Sequence, residues 1–147
     1  MEVLIEKFNK NQIDIASKIY LELFNSFGEK WTLSNSKKYL SEIYNSTYSY
    51  SAISNGKMIG FLCGVPVTTE EYSWLFIDAI VVNNEYQQHG IGKLLWEKAI
   101  ADAKIAGISG VRLFANPKYS SYSWYKKMGL SESGWVEMKK LLTNNKS

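Results

Sequence analysis

The amino-acid sequence predicts an α/β fold in which helices pack on a mixed sheet. An apolar, β-branched stretch over residues 74–82 is followed by a loop with two glycines and then by a helical pattern. A second apolar stretch, residues 111–115, follows that helix, and two strands joined by a helix run parallel. Upstream, Asn55-Gly56 separates two further apolar stretches, which is the strongest short signal for an antiparallel hairpin.

The N-terminal part is predicted to contain one strand and two helices. Residues 3–8 form the first strand, and a helix then runs from Asn11, a good capping residue, to near Gly28. Its apolar face is formed at helical spacing by Ile15, Ile19, Leu23 and Phe24. A second, shorter helix is predicted over residues 34–44.

The middle of the chain is predicted to form the hairpin and then the central strand. The hairpin arms are residues 48–54 and 58–67, and Pro66 indicates that the second arm bends or lies at an edge. The central strand over residues 74–82 is apolar except for Asp78. The helix after it has apolar residues on one face: Ile91, Leu94, Leu95, Ala99 and Ala103.

The C-terminal part is predicted to add a short helix and a last strand. Ser120 or Ser121 caps the helix, which runs through Met128 and stops at Gly129. Residues 134–142 are predicted to form a final strand, and residues 143–147 a frayed tail.

Length and composition limit the classes of function that this chain can have. A chain of 147 residues is expected to form a single domain, residues 1–147, with a real core. A formal charge of +3 in scattered lysine pairs does not indicate a nucleic-acid partner, and no apolar run is long enough for a membrane span. One cysteine, Cys63, and one histidine exclude a disulfide framework and a zinc set, so we expect no metal. The start has no signal-peptide pattern, and a cytoplasmic protein is therefore expected.

The loop between the central strand and its helix is the best candidate for a binding site. A strand, a glycine loop and a helix in that order direct backbone N–H groups and the positive end of a helix dipole at a ligand, which favours an anion. A Walker loop would need glycine at Gln87 and Ser or Thr at Leu94, and a dinucleotide loop would need glycine at Leu95. Both are excluded, and the remaining pattern is Gln87-x-x-Gly90-x-Gly92.

This pattern resembles the acetyl-CoA signature of the GCN5-related N-acetyltransferases (GNAT), Arg/Gln-x-x-Gly-x-Gly/Ala between a strand and a long helix. Two later stretches also resemble the family: residues 124–130, Trp-Tyr-Lys-Lys-Met-Gly-Leu, and the closing strand at residues 138–141, Met-Lys-Lys-Leu. The resemblance implies the GNAT fold: a mixed sheet of six to seven strands, helices on both faces, and parallel central strands that splay apart. It also implies acetyl-CoA as cosubstrate and no metal.

The resemblance also implies which residues hold the coenzyme. The loop backbone holds the pyrophosphate, and the end of the central strand pairs with the pantetheine arm, so the expected contacts are Ile80, Val81, Val82, Gln87, Gln88, His89, Gly90, Ile91, Gly92 and Lys93. The family often has Asn seven residues before its tyrosine, where this chain has Lys118, and Asn116 is the substitute we expect. The alternative is that this loop is only a tight strand-to-helix turn.

Three residues are candidates for proton transfer. Tyr125 occupies the family's general-acid position, and the alternative is a buried tyrosine bonded to a carbonyl. Asp78 and Glu85 are the carboxylates that could serve as a base. An unpaired carboxylate in an apolar strand is energetically unfavourable, so Asp78 is expected to have either a structural partner or a functional role. A structural partner is the favoured alternative. Glu85 in the loop is more simply explained as a solvated side chain.

The expected function is acetyl transfer from acetyl-CoA to a primary amine. Family enzymes that acetylate ribosomal-protein N-termini carry Glu on the fifth strand where this chain has Leu113, which, with the many aromatic residues, favours a small-molecule acceptor over a protein. A protein lysine or N-terminal acetyltransferase and a non-catalytic acyl-CoA-binding sensor are the alternatives. We expect acceptor choice to lie in residues 24–31, the turn at 70–74 and the last hairpin, because these are the parts where the family varies most. The sequence leaves open whether the chain forms a homodimer.

Overall fold

The computed structural model describes residues 1–143, in which the chain forms five strands and four α-helices. In chain order these are β1 (Leu4–Lys7), α1 (Ile13–Ser26), α2 (Leu33–Ile43), β2 (Ser49–Ser54), β3 (Lys57–Thr68), β4 (Ser73–Val82), α3 (Ile91–Ile105), β5 (Gly110–Leu113) and α4 (Ser120–Lys127). Short 3-10 turns at Lys10–Gln12 and Asn84–Tyr86 precede α1 and α3. The predicted order of elements is confirmed as far as α4.

The strands form one sheet in the order β1-β2-β3-β4-β5, antiparallel except for the parallel pair β4–β5. The hairpin between β2 and β3 turns at Asn55 and Gly56, both of which have positive φ. That backbone is the two-residue turn that Asn-Gly favours. The predicted hairpin and the predicted parallel pair are therefore both confirmed.

A β-bulge interrupts β4 at Asp78. Cys63 of β3 pairs with Ala79, and the next residue, Gly64, pairs with Ile77, so Asp78 has no partner opposite it. One extra residue in a strand changes which side chains point to which face. Ala79 therefore joins the core beneath α1, whereas Ile77 points to the opposite face.

The sheet is covered by helices on both faces, as expected. Helices α1 and α2 pack on one face, where the core contains Ala16, Ile19, Tyr20, Leu23, Leu40, Phe61, Cys63, Ala79 and Val81. Helix α3 packs on the other face against β2, β3 and β4, and buries Leu95 and Ala99. The sheet residues on that side include Tyr50 and Leu62, which are opposite each other and fully buried.

The chain divides into two compact units, one over Met1–Phe114 and a smaller one that begins at Ala115. The first unit contains the sheet and α1 to α3, and the second contains α4. The expectation of a single domain over residues 1–147 stays a prediction.

The predicted cap of α4 is wrong. The helix begins at Ser120, and its N-cap position is held by Tyr119, whose side chain makes no capping hydrogen bond. The preceding turn is closed instead by Asn116, whose Oδ1 accepts from the N–H of Lys118 and whose carbonyl accepts from Tyr119. Gly129 ends the helix as predicted: it has φ 98°, and its N–H donates to the carbonyl of Lys126.

The predicted final strand over residues 134–142 is also wrong for the described part of the chain. No strand is formed there, and its large apolar side chains are exposed: Trp135, Val136, Met138, Leu141 and Leu142. A stretch of β-forming residues becomes a strand only when another strand accepts its ladder hydrogen bonds. The sheet thus has five strands in the described residues, fewer than the six to seven expected. Residues 144–147 of the predicted tail lie outside the described residues.

Candidate functional site

The end of β4 is released from the sheet on one side. Strand β4 pairs with β5 only from Trp74 to Ile77, because β5 ends at Leu113. The five residues that follow, from Asp78 to Val82, still pair with β3 on their other side. Within the Met1–Phe114 unit, β5 is therefore paired along its whole length, whereas β4 is paired with it only over Trp74–Ile77.

The three residues predicted to line the coenzyme arm lie in this released segment. Val81 is buried and belongs to the core under α1, while Ile80 and Val82 are half-buried. Ile80 lies opposite Leu62, on the face that α3 covers. Their role in binding stays a prediction, and it would use the strand's backbone more than these side chains.

The loop after β4 has an unusual backbone. Gln88 and Gly90 both have positive φ, 65° and 75°, with His89 between them. Helix α3 begins at Ile91, and the first i−4 hydrogen bond at this end joins the N–H of Leu94 to the carbonyl of Gly90 at 3.1 Å. The amides of the first helical turn, which include Gly92 and Lys93, have no earlier carbonyl to bond. Left-handed residues followed by a helix N-terminus form a concave set of N–H donors suited to an anion.

Gln87 has a positioning contact that its place in the sequence did not predict. Its side-chain Nε2 donates to the carbonyl of Val82 at 2.7 Å, so it ties the loop to the end of β4. The turn between them is closed by Asn83, whose Oδ1 accepts from the N–H of Glu85. Glu85 and His89 are both exposed. Contact of Gln87 with a ligand stays a prediction.

Asp78 lies at the bulge, two residues before Ile80. It is half-buried, and burial raises the pKa of its carboxyl. The phenol of Tyr39 on α2 donates to the backbone carbonyl of Asp78 at 3.4 Å, and burial, followed by the nearby Asp78 charge, raises the pKa of Tyr39 to about 12. The expected structural partner of Asp78 is thus not an ion pair: in the described residues, its carboxylate is in neither of the two salt bridges.

Tyr39 belongs to an aromatic cluster that was not predicted from the sequence. The ring centroid of Tyr20 lies 4.9 Å from that of Trp31 and 5.4 Å from that of Tyr39, and the centroids of Trp31 and Tyr39 are 5.4 Å apart. The ring of Phe24 packs on Tyr20 with the ring centroids 4.5 Å apart and the ring planes tilted by 35°. No local signal pairs Tyr39 with Asp78, because they are far apart in sequence and meet only when α2 packs on the sheet.

The connection between α1 and α2 is held in a defined conformation. Asn25 bonds both backbone groups of Trp31: its Nδ2 donates to the Trp31 carbonyl at 3.0 Å, and its Oδ1 accepts from the N–H at 2.7 Å. The indole Nε1 of Trp31 donates to Oε1 of Glu29 at 2.8 Å. A carboxylate is thereby fixed at the edge of the cluster.

Two predicted site residues, Asn116 and Tyr125, lie in the second unit. Asn116 is exposed and forms the turn before α4. Tyr125, on α4, is buried, its ring lies 5.2 Å from Trp124, and its carbonyl accepts from the N–H of Leu130. Burial raises the pKa of the Tyr125 phenol to about 12.

In residues 1–143, no group of three or more His, Cys, Asp or Glu side chains could hold a metal ion. The helices formed by these residues are all too short or too polar to span a membrane.

A family model described as "Acetyltransferase (GNAT) family" matches residues 16–130. The fold is also similar to solved structures. A possible acetyltransferase from Clostridium difficile 630 has a TM-score of 0.80 at 14% identity, over 98% of this chain and 100% of that one. Aminoglycoside N-acetyltransferase AAC(6')-Iy in complex with CoA has a TM-score of 0.75 at 17% identity, over 97% and 96%. An aminoglycoside acetyltransferase from an uncultured soil metagenomic sample, meta-AAC0020 with sisomicin, has a TM-score of 0.72 at 17% identity, over 96% and 97%.

Proposed function

Because this chain belongs to the GNAT family of acetyltransferases, we propose that it transfers an acetyl group from acetyl-CoA to a primary amine of a small molecule. The observation that carries the proposal is the continuity of the released end of β4 with the loop from Gln87 to Lys93. A strand edge available for amide hydrogen bonds leads directly into N–H donors suited to a diphosphate. The fold neighbours include enzymes named for aminoglycosides, which are small-molecule amines, and this supports the choice of acceptor class.

Acetyl-CoA supplies a thioester, which an amine nitrogen can attack while the carbon–sulfur bond breaks. The loop amides would hold the diphosphate, and an N–H at the end of β4, near Ile80 or Val82, would donate to the carbonyl oxygen as it gains charge. Asp78, with its raised pKa, or Glu85 would accept the proton that the ammonium loses.

Tyr125 is the proposed donor to the departing thiolate. Its pKa of about 12 keeps the phenol protonated throughout the physiological range, so the proton is available. Transfer to a thiolate of pKa about 8.5 then costs about 5 kcal/mol, which a reaction step can accommodate.

The test combines binding and turnover. Titration calorimetry with acetyl-CoA should show binding, and steady-state thiol release across a panel of primary amines should show turnover. Tyr125→Phe should lower kcat by about 100-fold while the Kd for acetyl-CoA changes little. Absence of heat and of any thermal shift at millimolar acetyl-CoA would overturn the proposal.

A second function, an acyl-CoA-binding domain without turnover, is favoured by one observation. The burial of Tyr125 raises its pKa and makes proton donation harder. Under this alternative the chain would bind coenzyme A, would release no thiol with any amine, and would be unaffected by Tyr125→Phe.

A further inference from the structure

Helices α1 and α2 leave part of their face of the sheet exposed. Beneath the helices this face contains Cys63 and Ala79, both buried. Along β3 the same face continues through Val65 and Val67, because alternate residues of a strand point the same way. Both valines are exposed. The helices therefore cover this face at the end of β4 and leave it open at the start of β4.

Trp74 is the centre of the exposed part, and its ring is held in place. Trp74 lies opposite Val67, and its ring lies over Gly110, where a Cβ would be only 2.7 Å from the ring. The indole Nε1 donates to Oγ1 of Thr69 at 3.0 Å. The guanidinium of Arg112 lies 5.0 Å from the centre of the ring, within the range of a cation–π contact. Trp74 is thus fixed by neighbours on three strands and turns of the same surface.

Further rings extend this surface on both sides of Trp74. The ring centroid of Tyr72 lies 5.9 Å from that of Trp74, and that of Phe114 lies 5.3 Å from that of Phe76. Tyr72 and Phe114 are exposed. Single exposed apolar residues are ordinary, but a contiguous patch of them marks an interaction site. We call this surface the open face; it belongs to the Met1–Phe114 unit and consists of Val65, Val67, Tyr72, Trp74, Phe76 and Phe114.

Charges of opposite sign lie on the two sides of Trp74. Glu70 and Glu71, both exposed, lie in the turn that joins β3 to β4 at one end of the open face. On the other side Arg112 pairs with Phe76, two residues beyond Trp74. A surface with one acidic end and one basic end is complementary to a copy of itself, because a twofold rotation places each end against the opposite charge.

We propose that the open face is the contact surface of a homodimer whose twofold axis passes near Trp74. Each Trp74 packs against its own copy at the centre, and Arg112 of each copy meets Glu70 and Glu71 of the other. Trp, Tyr and Arg are the residues that contribute most to binding at the centre of an interface, and all three types surround this point. Since the Trp74 ring is ordered before association, little side-chain entropy is lost. The inference does not depend on the proposed acetyl transfer.

Sedimentation velocity over a range of protein concentrations measures the association. We expect the wild-type chain to form a reversible dimer. Arg112→Glu should weaken the dimer by at least about tenfold, because it places like charges against Glu70 and Glu71. The double substitution Glu70→Lys with Glu71→Lys should weaken it for the same reason. Lys57→Glu is the matched control: it makes the same change of charge as Arg112→Glu, at an exposed residue at the other end of β3, and should leave the association unchanged.

Mixing the two charge variants separates a lost contact between copies from a loss of folding. An equal mixture of the Arg112→Glu chain and the Glu70→Lys, Glu71→Lys chain should recover the wild-type association, because both contacts of the mixed dimer then join opposite charges. Phe114→Ser tests the apolar part: it shortens a side chain that is 70% exposed, so it should weaken the dimer while the chain stays folded. The inference is overturned by a wild-type chain that is monomeric at millimolar concentration, by a dimer that Arg112→Glu leaves intact, or by a mixture that stays monomeric.

Discussion

The phenol of Tyr50 donates a 2.7 Å hydrogen bond to Oδ2 of Asp102, and this bond joins β2 to α3 across a fully buried ring. Asp102 also accepts from Lys98 at 3.3 Å, one turn earlier in the helix. Since α3 begins at the candidate coenzyme loop, this bond is one of the contacts that fix the helix, and with it the loop, on the sheet.

Tyr50→Phe should lower the free energy of unfolding by about 1–2 kcal/mol at neutral pH, because it removes a hydrogen bond to a carboxylate. Urea unfolding measures this. The bond to Tyr50 is the main cause that lowers the pKa of Asp102. Stability from a lowered carboxyl pKa is present above the unfolded value, about 3.9, and is lost as pH falls through the folded value.

The deficit of Tyr50→Phe should therefore shrink in acid. A double-mutant cycle with Asp102→Asn provides the control, since most of the Tyr50→Phe cost should vanish in the Asn background. A deficit that is independent of both pH and Asp102 would show that ring packing, and not this bond, is responsible.

Asp78→Asn should raise the melting temperature at neutral pH by about 1–3 °C. The pKa of Asp78 is raised by burial, so the folded protein binds its proton more tightly than the unfolded chain. The resulting stabilisation is complete below the unfolded pKa and is lost as pH rises through the folded value. At neutral pH the charged carboxylate of Asp78 therefore destabilises the fold. The uncharged amide of the Asp78→Asn variant removes this destabilisation.

Thermal unfolding of both proteins across pH tests this, with the difference expected to disappear in acid. If Asp78 also serves in the reaction, the same substitution lowers kcat/KM while it stabilises the fold. A lower melting temperature for Asp78→Asn at neutral pH would mean that the carboxylate has a stabilising partner.

Gly90→Ala should weaken acetyl-CoA binding. Gly90 has φ 75°, and a Cβ there would meet no atom within 4 Å, so the cost is backbone strain of about 1 kcal/mol and a distorted loop. Gly107→Ala is a matched control at the other end of α3, with φ 82° and equally open surroundings. Both variants should lose similar stability in thermal unfolding.

Only Gly90→Ala should raise the Kd for acetyl-CoA, by about tenfold or more, in calorimetry. An equal effect of both variants on the Kd would show that binding follows general stability and not the loop.

Gly110→Ala should be among the more damaging single-methyl changes in the sheet. A Cβ on Gly110 would lie 2.7 Å from Cζ3 and 2.9 Å from Cε3 of Trp74, the residue paired with it across the β4–β5 boundary. Because an indole cannot bend, β5 or the ring must move, at a cost of about 1–3 kcal/mol. Urea unfolding measures the loss.

The double variant Gly110→Ala with Trp74→Leu tests the cause. It should be more stable than the sum of the two single changes predicts, because the smaller side chain makes room for the methyl group. If the stability losses of the two single variants simply add, the loss caused by Gly110→Ala comes from the β5 backbone and not from the Trp74 ring.

Local patterns identified most of the elements and the coenzyme loop. Asn55-Gly56 formed the predicted turn because few residues tolerate its two positive φ angles, and the apolar period of Ile91, Leu95 and Ala99 matched the buried face of α3. The loop around Gly90 was found for the same reason, since its backbone depends on its own residues. The last strand was not predictable in this way, because Trp135 and its neighbours form a strand only if a partner accepts their hydrogen bonds.

The sequence by itself determined the order of the elements as far as α4, the parallel pair β4–β5 and the N–H-rich loop, because a single helix joins the two strands and the loop backbone depends on its own residues. The tertiary structure alone decided that Tyr39 bonds the backbone of Asp78 and that Asp78 occupies a bulge. The first depends on how α2 packs on the sheet, and the second on the register of β3 against β4. The physical reason is that packing joins residues with no local preference for one another.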